Sequence, residues 1–376
     1  MKTKPHIIID ARLYGPEKHT GIGRYTKNLL IALSHLPTFS RYNFTLLVYP
    51  ELLNDIKRDL DQKFNYVTTN IRHYSFAEQL KLPFLLHRLH PDLVHFTHFN
   101  KPLFYFGLSV VTIHDLIKHF YRGQNTTTRQ PFLFWFKYLG YLLLTQVIIK
   151  TNHLIVPSNY WRQYIINHFH IEPEKITTTY EAIDPNFLKF GNLNLIKNPK
   201  FKIDNYILYT GNLYPHKNIH VILRALKQIP DLKLKIICAR NLFQKKLTEQ
   251  INQLNLTSQV EFLGFIKDQK FLDIYKEALC LVHPAFMEGF SLTGLEAMAL
   301  NCPVIASNSS CLPEIYHDAV LYFNPKMETE LVTQINHLRH NPKIRTDLIA
   351  KGKKLIKTYS WSKTATQTLQ VYSKLL

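Results

Sequence analysis

Acidic residues are scarce in this chain of 376: 27 Asp and Glu stand against 46 Lys and Arg, a net charge of +19 with histidine neutral. That excess of base belongs on the surface, where charges stay solvated. Cysteine is equally sparse. The four present, Cys238, Cys280, Cys302 and Cys311, all lie in the second half and show no C-x-x-C or other metal-ligand spacing. They read as small buried hydrophobes in a reducing cytosol, and no metal site is expected. The longest apolar run, 131–149, is broken by Lys137 and Gln146 and falls short of the ~20 residues that a membrane-spanning helix requires. The opening MKTKPHIIIDAR has only three consecutive apolar residues before Asp10 and Arg12, which does not read as a signal peptide. The expected location is cytoplasmic.

With 46% hydrophobic residues there is material for two ordinary cores, and the length suggests two or three domains at roughly 150 residues each. Short β-branched runs alternate with stretches of helical period, the mark of βαβ units on parallel sheets, so the fold class is α/β. In the first half the expected strands are 6–10, 44–50, 93–96, 110–115, 154–158 and 176–183. Between Phe190 and Phe201 the text turns to FGNLNLIKNPKF, with no apolar period. A linker at 191–200 therefore separates a first domain, 1–190, from a second, 201–360. The rhythm restarts with strands at 206–212, 236–238, 260–265, 279–284, 303–307 and 320–325. Ile219, Ile222, Leu223 and Leu226 give one apolar helical stripe. A final amphipathic helix, 361–376, follows a Ser360 N-cap candidate and could return to the first domain. Two doubly wound halves facing a cleft is the architecture implied.

Ligands of such sheets bind beyond the carboxyl ends of strands, where helices aim unpaired amides. Three strand-to-helix loops hold unusual residues. Thr20-Gly21-Ile22-Gly23-Arg24-Tyr25 brings glycines where a phosphate or sugar could approach closely, or where the loop merely needs positive φ. It lacks the third glycine and downstream acid of a dinucleotide fingerprint. In Gly211-Asn212-Leu213-Tyr214-Pro215-His216-Lys217-Asn218, Lys217 stands at a helix amino end. The macrodipole places about +0.5 of a charge there, so an anion such as phosphate should compensate, unless the lysine is simply solvated. The third loop runs from His283 to Ala299, with a helix expected from about Ser291. Five residues of helix rise ~7.5 Å, so a diphosphate at the mouth would leave Glu296 within reach of a ribose, with Glu288 on the far side. Solvated glutamates are the bland reading.

Taken together these residues are similar to the family 4 retaining glycosyltransferases, which have the two-Rossmann GT-B fold and transfer a hexose from a nucleotide diphosphate sugar. The family pattern E-G-F-G-L-x-x-L-E-A-M-A is met by Glu288-Gly289-Phe290-Ser291-Leu292-Thr293-Gly294-Leu295-Glu296-Ala297-Met298-Ala299. The resemblance implies that Glu288 faces the transferred sugar, that amides near Gly289, Phe290, Ser291 and Leu292 hold the diphosphate, that Glu296 binds the ribose and that Lys217 neutralises the leaving group. It also implies that Gly21 nears the donor phosphates, that Gly23, Arg24 and Tyr25 lie on the acceptor side, and that His114, in VTIHD, is a catalytic residue beside the donor sugar. Pro157-Ser158-Asn159, the segment 181–184 and Gly264-Phe265-Ile266 match softer positions, Phe265 by backbone contact to the base. Two positions depart from the pattern: Asn212 stands where many members carry arginine, and Ser291 replaces glycine. The opening IDARLYGPEKHTGIGRYTKNLL looks like the mannosyltransferase members, so the implied donor is GDP-mannose, with no cofactor and no metal. The only D-x-D, Asp59-Leu60-Asp61, lies in a polar helical stretch and reads as a solvated face. A nucleotide-sugar epimerase on the same fold, or a basic nucleic-acid-binding protein, is the alternative; no nucleic-acid module is present.

Residues 101–150 hold six Lys and Arg and one acid, interleaved with eleven aromatics. Base with exposed aromatics suits an anionic bilayer, and attachment to the inner membrane face through residues near 118–138 is expected, to meet a glycan or lipid-linked acceptor. The competing reading makes 133–149 one buried sheet-packing helix.

Overall fold

A computed structural model describes residues 4–15, 21–60, 63–122, 131–185, 187–188, 205–238, 243–264, 266 and 268–376. Thr20, Asp61, Phe265 and the linker at 191–200 lie outside these. The β-branched runs become strands β1 (His6–Asp10), β2 (Asn43–Val48), β3 (Asn65–Thr68), β4 (Leu93–Phe96), β5 (Ser109–Thr112), β6 (His153–Val156) and β7 (Ile176–Thr178). There follow β8 (Tyr206–Thr210), β9 (Lys233–Ile237), β10 (Val260–Phe262), β11 (Cys280–His283), β12 (Val304–Ser307) and β13 (Leu321–Phe323). Among the described residues they build two parallel sheets, ordered β3-β2-β1-β4-β5-β6-β7 and β10-β9-β8-β11-β12-β13. Ile7, Ile8 and Ile9, and likewise Leu281, Val304 and Ile305, are buried on both sheet faces, as strands flanked by helices on two sides must be.

The chain divides into two compact units, Met1–Leu116 with Trp135–Glu181 and Ser360–Leu376, and Ile117–Phe134 with Ala182–Tyr359. The described residues 117–122 and 131–134 thus group with the second unit. In each sheet the order reverses beside the first strand: β1 has β2 on one side and β4 on the other, β8 has β9 and β11. Loops leaving such neighbouring strands diverge to opposite faces and open a crevice at their carboxyl ends.

Several sequence expectations are corrected. β3 was not anticipated, because NYVT is a half-polar edge strand with little periodicity. The run 176–183 stops at Thr178, and 260–265 stops at Phe262, ahead of Gly264 at φ +65°. The run 44–50 ends at Val48 because Pro50 opens a 3-10 turn. The helix Pro131–Ile148 is not buried all round: Tyr138, Thr145 and Ile148 face inward, but Trp135, Phe136, Leu139 and Leu143 are exposed. Asp59 is not a bare solvated acid either, since it accepts from Tyr14 Oη at 2.9 Å and from Lys27 Nζ at 2.6 Å.

Charges near the amino terminus are also inside. Arg12, buried, donates to Asp10 through Nε (2.8 Å) and NH2 (2.7 Å) and to Glu78 through NH2 (2.7 Å). Burial works against ionising Asp10, but Arg12 outweighs it and lowers its pKa to about 2. The last helix, Trp361–Leu375, is capped by Ser360, whose hydroxyl accepts from Lys363 N at 3.2 Å. It belongs to the first unit. Its Tyr372 hydroxyl lies 2.5 Å from His95 Nδ1, and the Trp361 ring meets Tyr25 edge-on at 5.9 Å.

Candidate active site

In the second unit the loops after β8 and β11, the two strands at the reversal, meet. Gly211 turns the chain at φ +143°, and a 3-10 turn, Pro215–Lys217, leads to Asn218 at φ +54° before the helix Ile219–Leu226. The Asn218 side-chain amide donates to Pro284 O at 3.1 Å and Pro325 O at 2.8 Å, while Phe286 N donates to His216 O at 2.8 Å. These bonds carry the strand pairing into the loops. Lys217 Nζ is thereby held 2.5 Å from Glu288 Oε1 and 2.7 Å from Oε2. His283 Nε2 donates to the same carboxylate at 2.8 Å. Burial alone would raise the Glu288 pKa; the Lys217 charge and His283 outweigh it and hold the carboxyl well below the usual carboxylate range. Glu288 is therefore an acceptor, not a proton donor, at neutral pH. His216, next in sequence, is lowered to about 4 by burial and then by Lys217, so it is neutral. Asn212 shapes the loop: its carbonyl accepts from Tyr209 Oη at 2.5 Å.

The mouth of the helix Leu292–Ala299 adjoins this pair. Ser291, its N-cap, has φ +81°, a left-handed conformation in which the side chain makes no cap bond. Its hydroxyl lies 2.6 Å from Tyr316 Oη and 3.3 Å from His283 Nε2. Tyr316 Oη also donates to Ser291 O at 3.0 Å and accepts from Gly294 N at 3.1 Å, capping the helix from outside. A Cβ on Gly294 would stand 2.4 Å from the tyrosine ring. The amides of Leu292 and Thr293, in the first turn, have no intrahelical partner. Glu296, one turn further in, is buried, and Phe290 packs edge-on against Tyr359 at 5.5 Å. Sequence reasoning missed Tyr316 and His283 as parts of the site: a tyrosine 25 residues past Ser291 follows no spacing rule.

The first unit holds a second polar cluster beyond β4 and β5. His114 Nδ1 lies 3.3 Å from Glu181 Oε1, and Nε2 donates to Thr97 O at 3.0 Å. Burial opposes protonation of His114, but the Glu181 hydrogen bond and charge overcome it and raise its pKa. Tyr25 is buried with its ring edge-on to His114 at 4.6 Å; it orients the imidazole and does not face solvent as an acceptor-side residue would. Gly21 is exposed, and a Cβ placed there would meet open space beyond its own helix, whereas a Cβ on Gly23 would strike Gly15 O at 2.8 Å and Leu13 O at 2.9 Å. Gly23, in the first turn of the helix Gly21–Ser34, is thus required for close packing against the loop after β1. Arg24, half-buried, accepts through its carbonyl from the Asn28 amide at 3.0 Å. Ser158 caps the helix Asn159–Phe169.

The sequence profile of Glycosyltransferase Family 4 matches residues 20–187, and that of Glycosyl transferases group 1 matches 193–355. This chain belongs to the glycosyltransferases. The enzyme is 26% identical over 341 residues to the O-antigen chain mannosyltransferase RfbU of Salmonella typhimurium, spanning 86% of this chain and 88% of the relative. It is 27% identical to the O-antigen chain mannosyltransferase B of Escherichia coli over 59% of this chain and 60% of that one. Among solved structures it resembles sucrose-phosphate synthase from Thermosynechococcus elongatus, with TM-score 0.73, 18% identity and 99% of both chains covered. Anabaena HepE in complex with UDP-glucose gives TM-score 0.70 at 17% identity, over 98% of this chain and 99% of that one. The glycosyltransferase has the GT-B fold of these neighbours.

Proposed function

We propose that this glycosyltransferase moves mannose from GDP-mannose to a hydroxyl of a glycan or lipid-linked acceptor, with retention at the anomeric carbon and without a metal. The observation that carries the reading is the Lys217–Glu288 pair at the mouth of the helix Leu292–Ala299. A buried carboxylate pairs with Lys217, which holds a cation where a diphosphate would meet helix amides. As the sugar–phosphate bond breaks, charge grows on the leaving diphosphate, and Lys217 with the Leu292 and Thr293 amides stabilises it. Glu288, held ionised, accepts hydrogen bonds from sugar hydroxyls and offsets the positive charge developing at the anomeric carbon.

Glu296 takes the ribose, and His114, oriented by Glu181, hydrogen-bonds the transferred sugar. Attack on the face that the phosphate leaves retains configuration, the departing phosphate oxygen accepting the acceptor's proton. Metal independence is supported by the use of Asp59, the first acid of the D-x-D, on Lys27 and Tyr14. The mannosyl assignment is supported by the O-antigen mannosyltransferase relatives. Thermal-shift titration against GDP, UDP and ADP sugars tests the donor: a ligand at 100 times Kd stabilises by ~2.7 kcal/mol, and GDP-mannose should give the largest shift. A larger shift with a UDP or ADP sugar would reject it. Anomeric coupling in the product, read by NMR, tests retention.

A further inference from the structure

We propose that one helical face of the seven-stranded sheet docks on the surface of an anionic lipid bilayer. The helix Phe76–Leu89 connects β3 to β4, and the helix Pro131–Ile148 connects β5 to β6; both connections run the same way across the sheet. Right-handed crossovers therefore put the two helices on the same sheet face. The segment between β4 and β5 joins them: Leu103 N donates to Gln79 Oε1 at 2.8 Å, and the Phe99 ring lies 5.2 Å from that of Tyr141.

Each helix turns an apolar stripe outward. Phe76, Leu80 and Phe84, four residues apart, lie within an arc of about 80°, yet they are 94%, 66% and 72% exposed. Trp135, Leu139 and Leu143 repeat the pattern at 61%, 56% and 60%. Phe106, on the connecting segment, is exposed too. Large apolar side chains exposed in such rows mark an interaction surface more often than chance exposure does.

Charge selects the partner. Residues 71–116 and 135–150, which belong to the first unit, contain six Lys and Arg but three Asp and Glu, and one of each, Lys101 and Glu78, is buried. Lys81 and Arg88 are exposed and fall about 40–60° beyond Phe84 on the helix surface; Lys137 and Lys150 are exposed on and just after the other helix. A second copy of this chain meeting the same face would set base against base. Anionic lipid headgroups satisfy both the stripe and its basic border, with aromatic rings at the depth that they favour. Among the described residues no helix is long and apolar enough to cross a membrane, so the attachment is flat. It is centred on the two stripes and their basic border, which share Trp135 and Lys137 with the 118–138 segment that the sequence suggested; residues 123–130 of that segment lie outside the described residues.

Flotation of the full chain with vesicles tests this, independently of the donor sugar. Binding to phosphatidylglycerol-rich vesicles is expected, weakening with salt and falling roughly fivefold for each base removed in Lys81→Ala and Arg88→Ala. Leu80→Glu with Leu143→Glu should leave circular dichroism and melting unchanged, because both side chains are exposed, and should abolish flotation. Failure to float with any vesicle, or equal binding to pure phosphatidylcholine at all salt concentrations, would overturn the proposal. So would a dimer in sedimentation that the two glutamate substitutions dissociate, since the face would then belong to a second copy.

Discussion

Lys217 and Glu288 lie 71 residues apart in sequence yet share two hydrogen bonds. Removing the lysine should remove the cation beside the leaving diphosphate. Lys217→Ala is expected to lower kcat/KM at least tenfold, about 1.4 kcal/mol of transition-state stabilisation, and wild-type turnover in that variant would dismiss the phosphate cradle. Acid stability should report the partner. Because the folded pKa of Glu288 lies below its ordinary 4.5, its ionised form adds stability that is complete above that value and is lost as pH falls toward the folded one. Urea midpoints of Glu288→Gln should be flatter than wild type across the acid limb; equal slopes would show that the pair contributes nothing. The sign reverses for His114, whose folded pKa is raised above 6.5: its contribution is complete below 6.5 and fades as pH rises through the folded value. Imidazole NMR should place its titration above 6.5 and move it down in Glu181→Gln.

At the scale of elements, the helix Leu292–Ala299 begins under two constraints that compete at one residue. Ser291 adopts φ +81°, which glycine tolerates and other residues hold at a cost of order 1 kcal/mol, but its hydroxyl is tied to Tyr316. Ser291→Gly relieves the backbone while losing the hydroxyl; Ser291→Ala loses the hydroxyl and relieves nothing. Alanine should therefore melt below glycine by roughly 1 kcal/mol, and the reverse order would mean that the backbone is unstrained. Gly294→Ala should be worse than either, since its Cβ has no room beside Tyr316. Much of this motif is legible in sequence: the spacing over 291–299 places the helix start near Ser291 and sets Glu296 within the helix, where the structure buries it. The tyrosine that caps it was not, because it arrives on a separate helix, Leu312–Tyr316.

At the scale of the whole molecule, the end of the chain completes the first unit. Tyr372 and His95, 277 residues apart, share a buried hydrogen bond, and Thr364 donates to Tyr180 O at 2.6 Å. Tyr372→Phe leaves a buried imidazole nitrogen unsatisfied and should destabilise by about 1–3 kcal/mol. Truncation after Tyr359 should open the first unit to protease, with early cleavage mapping to residues 4–116 and 135–181. Early cuts confined to 205–359 would contradict the division described above.

The sequence by itself determined the alternation of strand and helix, the parallel sheets, the identity of the three loops and most of the polar residues at their tips, because periodicity and turn chemistry are local. It could not determine which charges are inside. Asp10 and Arg12 are buried as a network with Glu78, while Phe76, Phe84 and Trp135 face outward. Those outcomes depend on which elements the topology sets side by side. The same holds for Lys217: its sequence position called for an anion, and only the adjacency of β8 and β11 supplied Glu288 as that anion.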